Sequence, residues 1–213
     1  MRYPIIYADP PWPYDNDQSG QSARGGTAYP RMALDGLKAL PVGRLAADDC
    51  TLFLWATHPK MREALKVIEA WGFRYVTCAF MWVKTNRSGE GFYSGLGYWT
   101  NGNTEPCLLA VKGHPNWMRA TRDVKQLVVT PVGRHSAKPD EVRDRIVRLM
   151  GDRPRVELFA RRTGEGWDSW GYDVEPPIIW LDAAFRGFPG STEVPFGVFG
   201  EVEAAAAYAG AAA

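Results

Sequence analysis

Pro4-Ile5-Ile6-Tyr7-Ala8-Asp9-Pro10-Pro11-Trp12 reads as a buried strand that stops at a rigid corner. Four apolar or aromatic residues in a row suit a strand covered on both faces. Asp9 stands before a proline, which biases its backbone to extended geometry, and each proline fixes its own φ and donates no hydrogen bond. The strand's carboxyl end therefore offers a carboxylate, two carbonyls without a local N–H at positions 10 and 11, and an indole plane. Two readings are open. Acceptors beside a stacking surface suit a flat ligand that carries an amino group, such as a nucleobase; the same string also suits a proline-rich turn capped by a core tryptophan.

Outward from this corner, short β-rich runs alternate with helical patterns. Pro4 to Ala8, Thr51 to Trp55, Val76 to Lys84, Cys107 to Val111, Gln126 to Thr130 and Val156 to Phe159 read as mostly buried strands. Met61, Leu65, Ile68 and Trp71 recur at helical spacing between the second and third. A further helix opens at Pro139, with Asp140 and Glu141 in its first turn. It keeps Val142, Ile146 and Leu149 on one face and stops at Gly151. Strands separated by helices predict an α/β fold with a mainly parallel sheet and helices on both faces, its ligand site at the carboxyl ends of the strands. A core domain is expected over residues 1–175. From 176 to 213 Pro, Gly and Ala dominate, which predicts an extension whose end need not be ordered.

Composition narrows the function. The chain has 213 residues, 46% hydrophobic, enough for one sizeable core. No apolar run is long enough to span a bilayer and no cleavable signal pattern is seen, so a membrane or secreted protein is not expected. Cys50, Cys78 and Cys107 are too few and too dispersed for a disulfide framework, which predicts a reducing, cytoplasmic setting. His58, His114 and His135 show no i, i+4 spacing, so a histidine-built metal centre is not expected either. No Gly-x-Gly-x-x-Gly follows a strand, which argues against a dinucleotide-dependent oxidoreductase. Residues 112–162 carry 13 basic and 6 acidic side chains, and residues 163–213 carry 1 and 8. The basic third is either a polyanion-facing surface, with Arg119, Arg122, Lys125 and Arg134 as phosphate contacts, or a solvated face balanced by the acidic tail.

Asp9-Pro10-Pro11-Trp12 after an N-terminal strand resembles the catalytic motif of the MT-A70 family of adenine-N6 methyltransferases. Further segments follow in the family's order. They are Tyr29-Pro30-Arg31-Met32, Leu52 to Thr57, Trp82 to Asn86, Gly97 to Asn101 with Glu105, Cys107 to Gly113, His135 to Glu141, Glu157 to Arg161 and Trp167 to Gly171. The resemblance implies a Rossmann-like methyltransferase fold and transfer of a methyl group from S-adenosylmethionine to N6 of adenine, without a metal. Asp9 and the Pro10 carbonyl, in the catalytic string Asp9, Pro10, Pro11 and Trp12, would accept the two N6 hydrogens. Trp12 and Tyr29 would stack on the base, with Trp99, Asn101 and Glu105 lining the acceptor side. Lys138 would meet the cofactor's carboxylate and Arg161 its ribose, while Glu157, Leu158 and Phe159 face its adenosine; Asp9 and Pro10 also border the cofactor. After Trp170-Gly171 the family carries an Asn and a polar residue where this chain has Tyr172-Asp173, so the ribose contact falls to Asp173.

The partner implied is nucleic acid, with DNA favoured over RNA from the compact form and bacterial-type motifs. A rival of another class is a catalytically silent nucleic-acid-binding subunit, against which the intact Asp9 argues. No separate target-recognition domain is visible. Specificity falls to the insertion-like stretches 13–30, 86–96 and 112–123, or to a partner chain in a homodimer or heterodimer.

Overall fold

Ile5, Ile6, Tyr7 and Ala8 are all buried to within 2% of their surface, as a strand at the centre of a two-sided sheet requires. In the computed structural model, which describes residues 2–13, 32–133, 137–171 and 174, this strand is β1 (Tyr3–Ala8). The chain continues through α1 (Leu34–Ala39), α2 (Val42–Leu45), β2 (Ala46–Trp55), α3 (Met61–Ala70), β3 (Arg74–Thr85), β4 (Thr104–Lys112), β5 (Leu127–Pro131), α4 (Asp140–Met150), β6 (Arg155–Leu158) and β7 (Asp168–Trp170). The proposed extension 176–213 lies outside the described residues, as do Tyr29, Arg134, His135 and the pair Tyr172-Asp173.

The seven strands form one sheet in the order β5-β3-β4-β2-β1-β6-β7. Pairings β1–β2, β1–β6, β3–β5 and β6–β7 are parallel. β4 runs antiparallel to both β2 and β3, so it alone is reversed. The fold is thus α/β and mainly parallel, as expected, with one reversal that the sequence reading did not anticipate. A continuous apolar strand looks alike in either direction.

The helices divide between the faces. α1 to α3 pack Leu37, Val42, Ala64, Val67, Ile68 and Trp71 against Ile6, Ala8, Leu52, Leu54 and Leu108. On the other face α4 sets Val142, Ile146 and Met150 against Ile5, Tyr7, Phe53, Trp55, Phe80 and Val128. Helices that follow β1 and β2 lie on one face, and the helix leading into β6 on the other. The topology therefore changes direction at β1, and in sheets of this kind the crevice at the carboxyl ends there receives the ligand. Two strands are less buried than expected. β5 is an edge strand whose Leu127 and Val129 are half exposed, and β3 is open at its start, where Tyr75 and Val76 reach solvent. Among the described residues, the apolar cluster under α1 to α3 includes nothing from β3 or β5. No described helix is long and apolar enough to cross a membrane.

Candidate active site

Asp9 follows β1 at the change of direction, its N–H donating to the Leu158 carbonyl at 3.4 Å across the β1–β6 boundary. Its carboxylate meets Lys138, which precedes α4, with Nζ to Oδ2 at 2.8 Å. The same ammonium reaches Glu105 Oε1 at 3.0 Å, and Glu105 Oε2 accepts from Lys84 Nζ at 2.8 Å. Two carboxylates and two ammonium groups thus alternate along a line from β1 through the approach to α4 to β4 and β3. The reversal of β4 is what brings Glu105, near a strand's start, to the edge where the other strands end. Lys138 also lies 5.6 Å from the centre of the Trp55 ring, whose Nε1 donates to the Tyr7 hydroxyl at 2.5 Å.

The electrostatics differ between the two carboxylates. Burial pushes Glu105 up, but Lys138 and Lys84 together outweigh it and hold Glu105 below the ordinary range. Burial raises Asp9, and Glu105 adds to the rise; Lys138 and the nearby Arg161 oppose it without cancelling it. Lys138 loses hydration but is held protonated by Asp9 and Glu105.

The structure brings Asp9, Glu105 and Lys138 together, with Arg161 close enough for its charge to act on Asp9. Other expectations are redistributed. Trp12 is only 6% exposed, packs in the core and donates Nε1–H to the Trp55 carbonyl at 3.1 Å, so its ring is not an open stacking plane. The Pro10 and Pro11 carbonyls are not free of N–H partners. Pro10 accepts from Trp12 at 2.9 Å and Pro11 from Met32 at 3.2 Å, leaving each a second lone pair. The Leu158 side chain is wholly buried, so that residue borders the site through its backbone. Phe159 adopts φ +62°, a conformation rare for a bulky residue, and packs edge-on against Trp170 at 5.6 Å. A Cβ at Gly171 would fall 1.9 Å from the Ala160 carbonyl oxygen, so only glycine allows β7's exit to lie so close to that turn. Trp99 and Asn101 are exposed on the β3–β4 connection.

Glu157 is buried on the α4 face, where Arg143 grips it with Nε–Oε2 at 2.6 Å and Nη2–Oε1 at 2.8 Å. Neither Arg143 nor the role of Lys84 was anticipated. Their partners come from distant segments, and local spacing carries no trace of them. Arg119, Arg122 and Lys125 lie between β4's end and β5's start. There Ala120 N–H donates to Leu149 O, and Arg145 donates to the Lys125 carbonyl. That is the amino-terminal edge of the parallel strands, opposite Asp9, so these cations do not surround the site.

A mainly parallel sheet with one reversed strand, carrying an Asp-Pro-Pro corner and a buried lysine where its topology turns, defines a Rossmann-like methyltransferase fold. The MT-A70 family model matches residues 3–173, and the chain belongs to that family. It is 35% identical over 189 residues to the type II methyltransferase M.MunI of Mycoplasma sp, covering 81% of this chain and 78% of that one. It is 33% identical over 171 residues to the N(6)-adenosine-methyltransferase MT-A70-like protein of Arabidopsis thaliana, and 32% over 161 residues to the human N(6)-adenosine-methyltransferase catalytic subunit METTL3. These matches take up 78% and 75% of this chain but only 23% and 26% of the relatives, so the chain spans about a quarter of the plant and human proteins.

Proposed function

We propose that this chain transfers a methyl group from S-adenosylmethionine to N6 of adenine in DNA, with Asp9 as the residue that orients the reacting amino group. The observation that carries this reading is the Asp9 carboxylate, fixed at the carboxyl end of β1 by Lys138. An exocyclic adenine nitrogen is a weak nucleophile because its lone pair is delocalised into the ring. Asp9 and the second lone pair of the Pro10 carbonyl would accept its two hydrogens, turn the lone pair out of the plane and stabilise the positive charge that develops.

The residues present fit the cofactor. It is a zwitterion with an added sulfonium, and the site offers Lys138 for its carboxylate, Asp9 for its positive groups and Arg161 for ribose hydroxyls, beside a turn at Phe159 against which Gly171 lets β7's exit pack closely. When bound, S-adenosylmethionine supplies an electrophilic methyl group on sulfur. Lys138, already shared by Asp9 and Glu105, then serves a third partner, which links cofactor binding to the orientation of Asp9. DNA is favoured because the match to the type II methyltransferase runs over most of both chains, whereas the adenosine-named relatives are matched over a quarter of their length. A cytoplasmic location belongs to this reading.

The test is transfer of labelled methyl to matched single- and double-stranded DNA and RNA pools, digested to nucleosides, with Asp9→Ala alongside. Label in N6-methyladenine of DNA is expected. Asp9→Ala is expected to lose transfer while cofactor affinity stays within about tenfold. Label in RNA alone would reassign the substrate, and retained turnover in the variant would contradict the role of Asp9. No label in any pool, with no cofactor binding by calorimetry, would favour a silent subunit.

A further inference from the structure

The connection from β3 to β4 is a built hairpin rather than a slack loop. Gly95 and Gly102 exchange both backbone hydrogen bonds at 3.0 Å, Thr85 bridges Phe92, and Tyr93 N–H donates to the Lys84 carbonyl at 2.9 Å. A Cβ at Gly97 would lie 2.0 Å from the Thr100 carbonyl oxygen, so the tight turn beyond the glycine pair depends on that residue. What the hairpin holds out is apolar. Leu96 is as exposed as in an extended peptide (104%) and Trp99 nearly so (99%), with Phe92 and Tyr98 close to two-thirds exposed. Its two ends are Lys84 and Glu105, members of the ion cluster, so it rises from the edge that carries Asp9. Arg87 and Glu90 cancel in charge, which leaves stacking rather than Coulomb attraction as its means of contact.

We propose that this hairpin is a wedge that opens duplex DNA: Leu96 enters the base stack beside the target adenine and Trp99 stacks on a base uncovered when that adenine leaves the helix. The proposal rests on the reading of the chain as an adenine methyltransferase and narrows its substrate to duplex DNA. An adenine paired inside a helix cannot reach Asp9 unless it is extruded, and extrusion costs the stacking it leaves behind. An inserted apolar side chain replaces part of that stacking, and an aromatic plane accepts any base. A tip of this kind adds apolar contact without adding phosphate contacts, so it strengthens opening more than general affinity.

Two measurements decide the matter with the full chain and Leu96→Ser. Transfer to the same DNA pool is compared in double- and single-stranded form. The variant is expected to lose about tenfold or more in kcat/KM on the duplex while keeping single-strand transfer within about threefold. Permanganate oxidation of unstacked thymines reads opening without turnover. Wild-type protein is expected to raise it on the duplex and Leu96→Ser to leave it near the free-DNA level. Equal losses on both DNA forms, no loss, or permanganate patterns alike in the two proteins would overturn the wedge. A wild-type dimer that Leu96→Ser converts to monomer by light scattering, with duplex opening unchanged, would assign the tip to a second copy instead. If wild-type protein transfers no methyl to either form, the underlying reading fails, and the permanganate comparison still settles the wedge.

Discussion

Asp9 and Glu105 share a lysine but not an ionisation behaviour, and the difference sets the pH response of the site. Glu105, held low by Lys138 and Lys84 against its burial, stabilises the fold at neutral pH, and that contribution is lost as pH falls through its depressed value. Asp9 is raised, so the folded protein retains a proton there that the unfolded chain has released, and ionising it costs stability as pH climbs through that window. In the proposed role Asp9 accepts one amino hydrogen as a carboxylate, beside the Pro10 carbonyl, so the acid limb of kcat against pH is expected above the ordinary aspartate range. Glu105→Gln removes a neighbouring negative charge and leaves Lys138 to Asp9 alone, so the limb is expected to move to lower pH. A limb that stays or rises would show that Glu105 does not govern Asp9. The same variant leaves two poorly hydrated ammonium groups with one carboxylate and is expected to lose about 3 kcal/mol in urea unfolding at neutral pH. The deficit should close as pH falls through the depressed value of Glu105.

The pairing of α4 with β6 gives a second expectation. Arg143→Met would leave Glu157 buried without its guanidinium, costing about 3–5 kcal/mol by chemical denaturation at neutral pH. Glu157 is already raised by burial despite Arg143, so the variant should take up a proton readily and regain part of the loss as pH is lowered. A deficit independent of pH would mean that packing, not charge, holds the two elements together. How legible these elements are in the sequence follows from their length and periodicity. β1 to β6, α3 and α4 each carry an apolar run or a repeat at helical spacing. β7 is three residues, Asp168 to Trp170, too short for either, and α1 and α2 span six and four. The direction of β4 had a signal that went unread: no helical repeat lies between Thr85 and Thr104, and a parallel neighbour would need a crossover. Asp9 stands at a strand end and could be picked out there, whereas Glu105 and Lys138 came into view only through the family resemblance. The indole of Trp12 could not be placed from sequence, because its hydrogen bond to Trp55 joins residues 43 positions apart.

Across the whole molecule, charge and site are separated. The basic residues 119–125 sit at the edge opposite Asp9 and pack against the carboxyl-terminal half of α4, where Arg148 pairs with Asp123. Replacing Arg119 and Arg122 by alanine is therefore expected to leave the slope of log K against log salt for DNA binding unchanged. Replacing Arg87, whose charge Glu90 offsets on the same connection, should likewise leave that slope unchanged. A fall in slope for the first pair would mean that the nucleic acid wraps to the far edge. The reversed strand has one more effect. Because β3 and β4 are antiparallel neighbours, the chain between them need only turn back, and no crossing element ties its length to the sheet. Lengthening such a connection costs little, about 0.6 kcal/mol for each doubling. The segment 86–103 can therefore be exchanged for another of different size and chemistry with the open sheet beneath it untouched, which makes it a natural graft point for new chemistry beside the site.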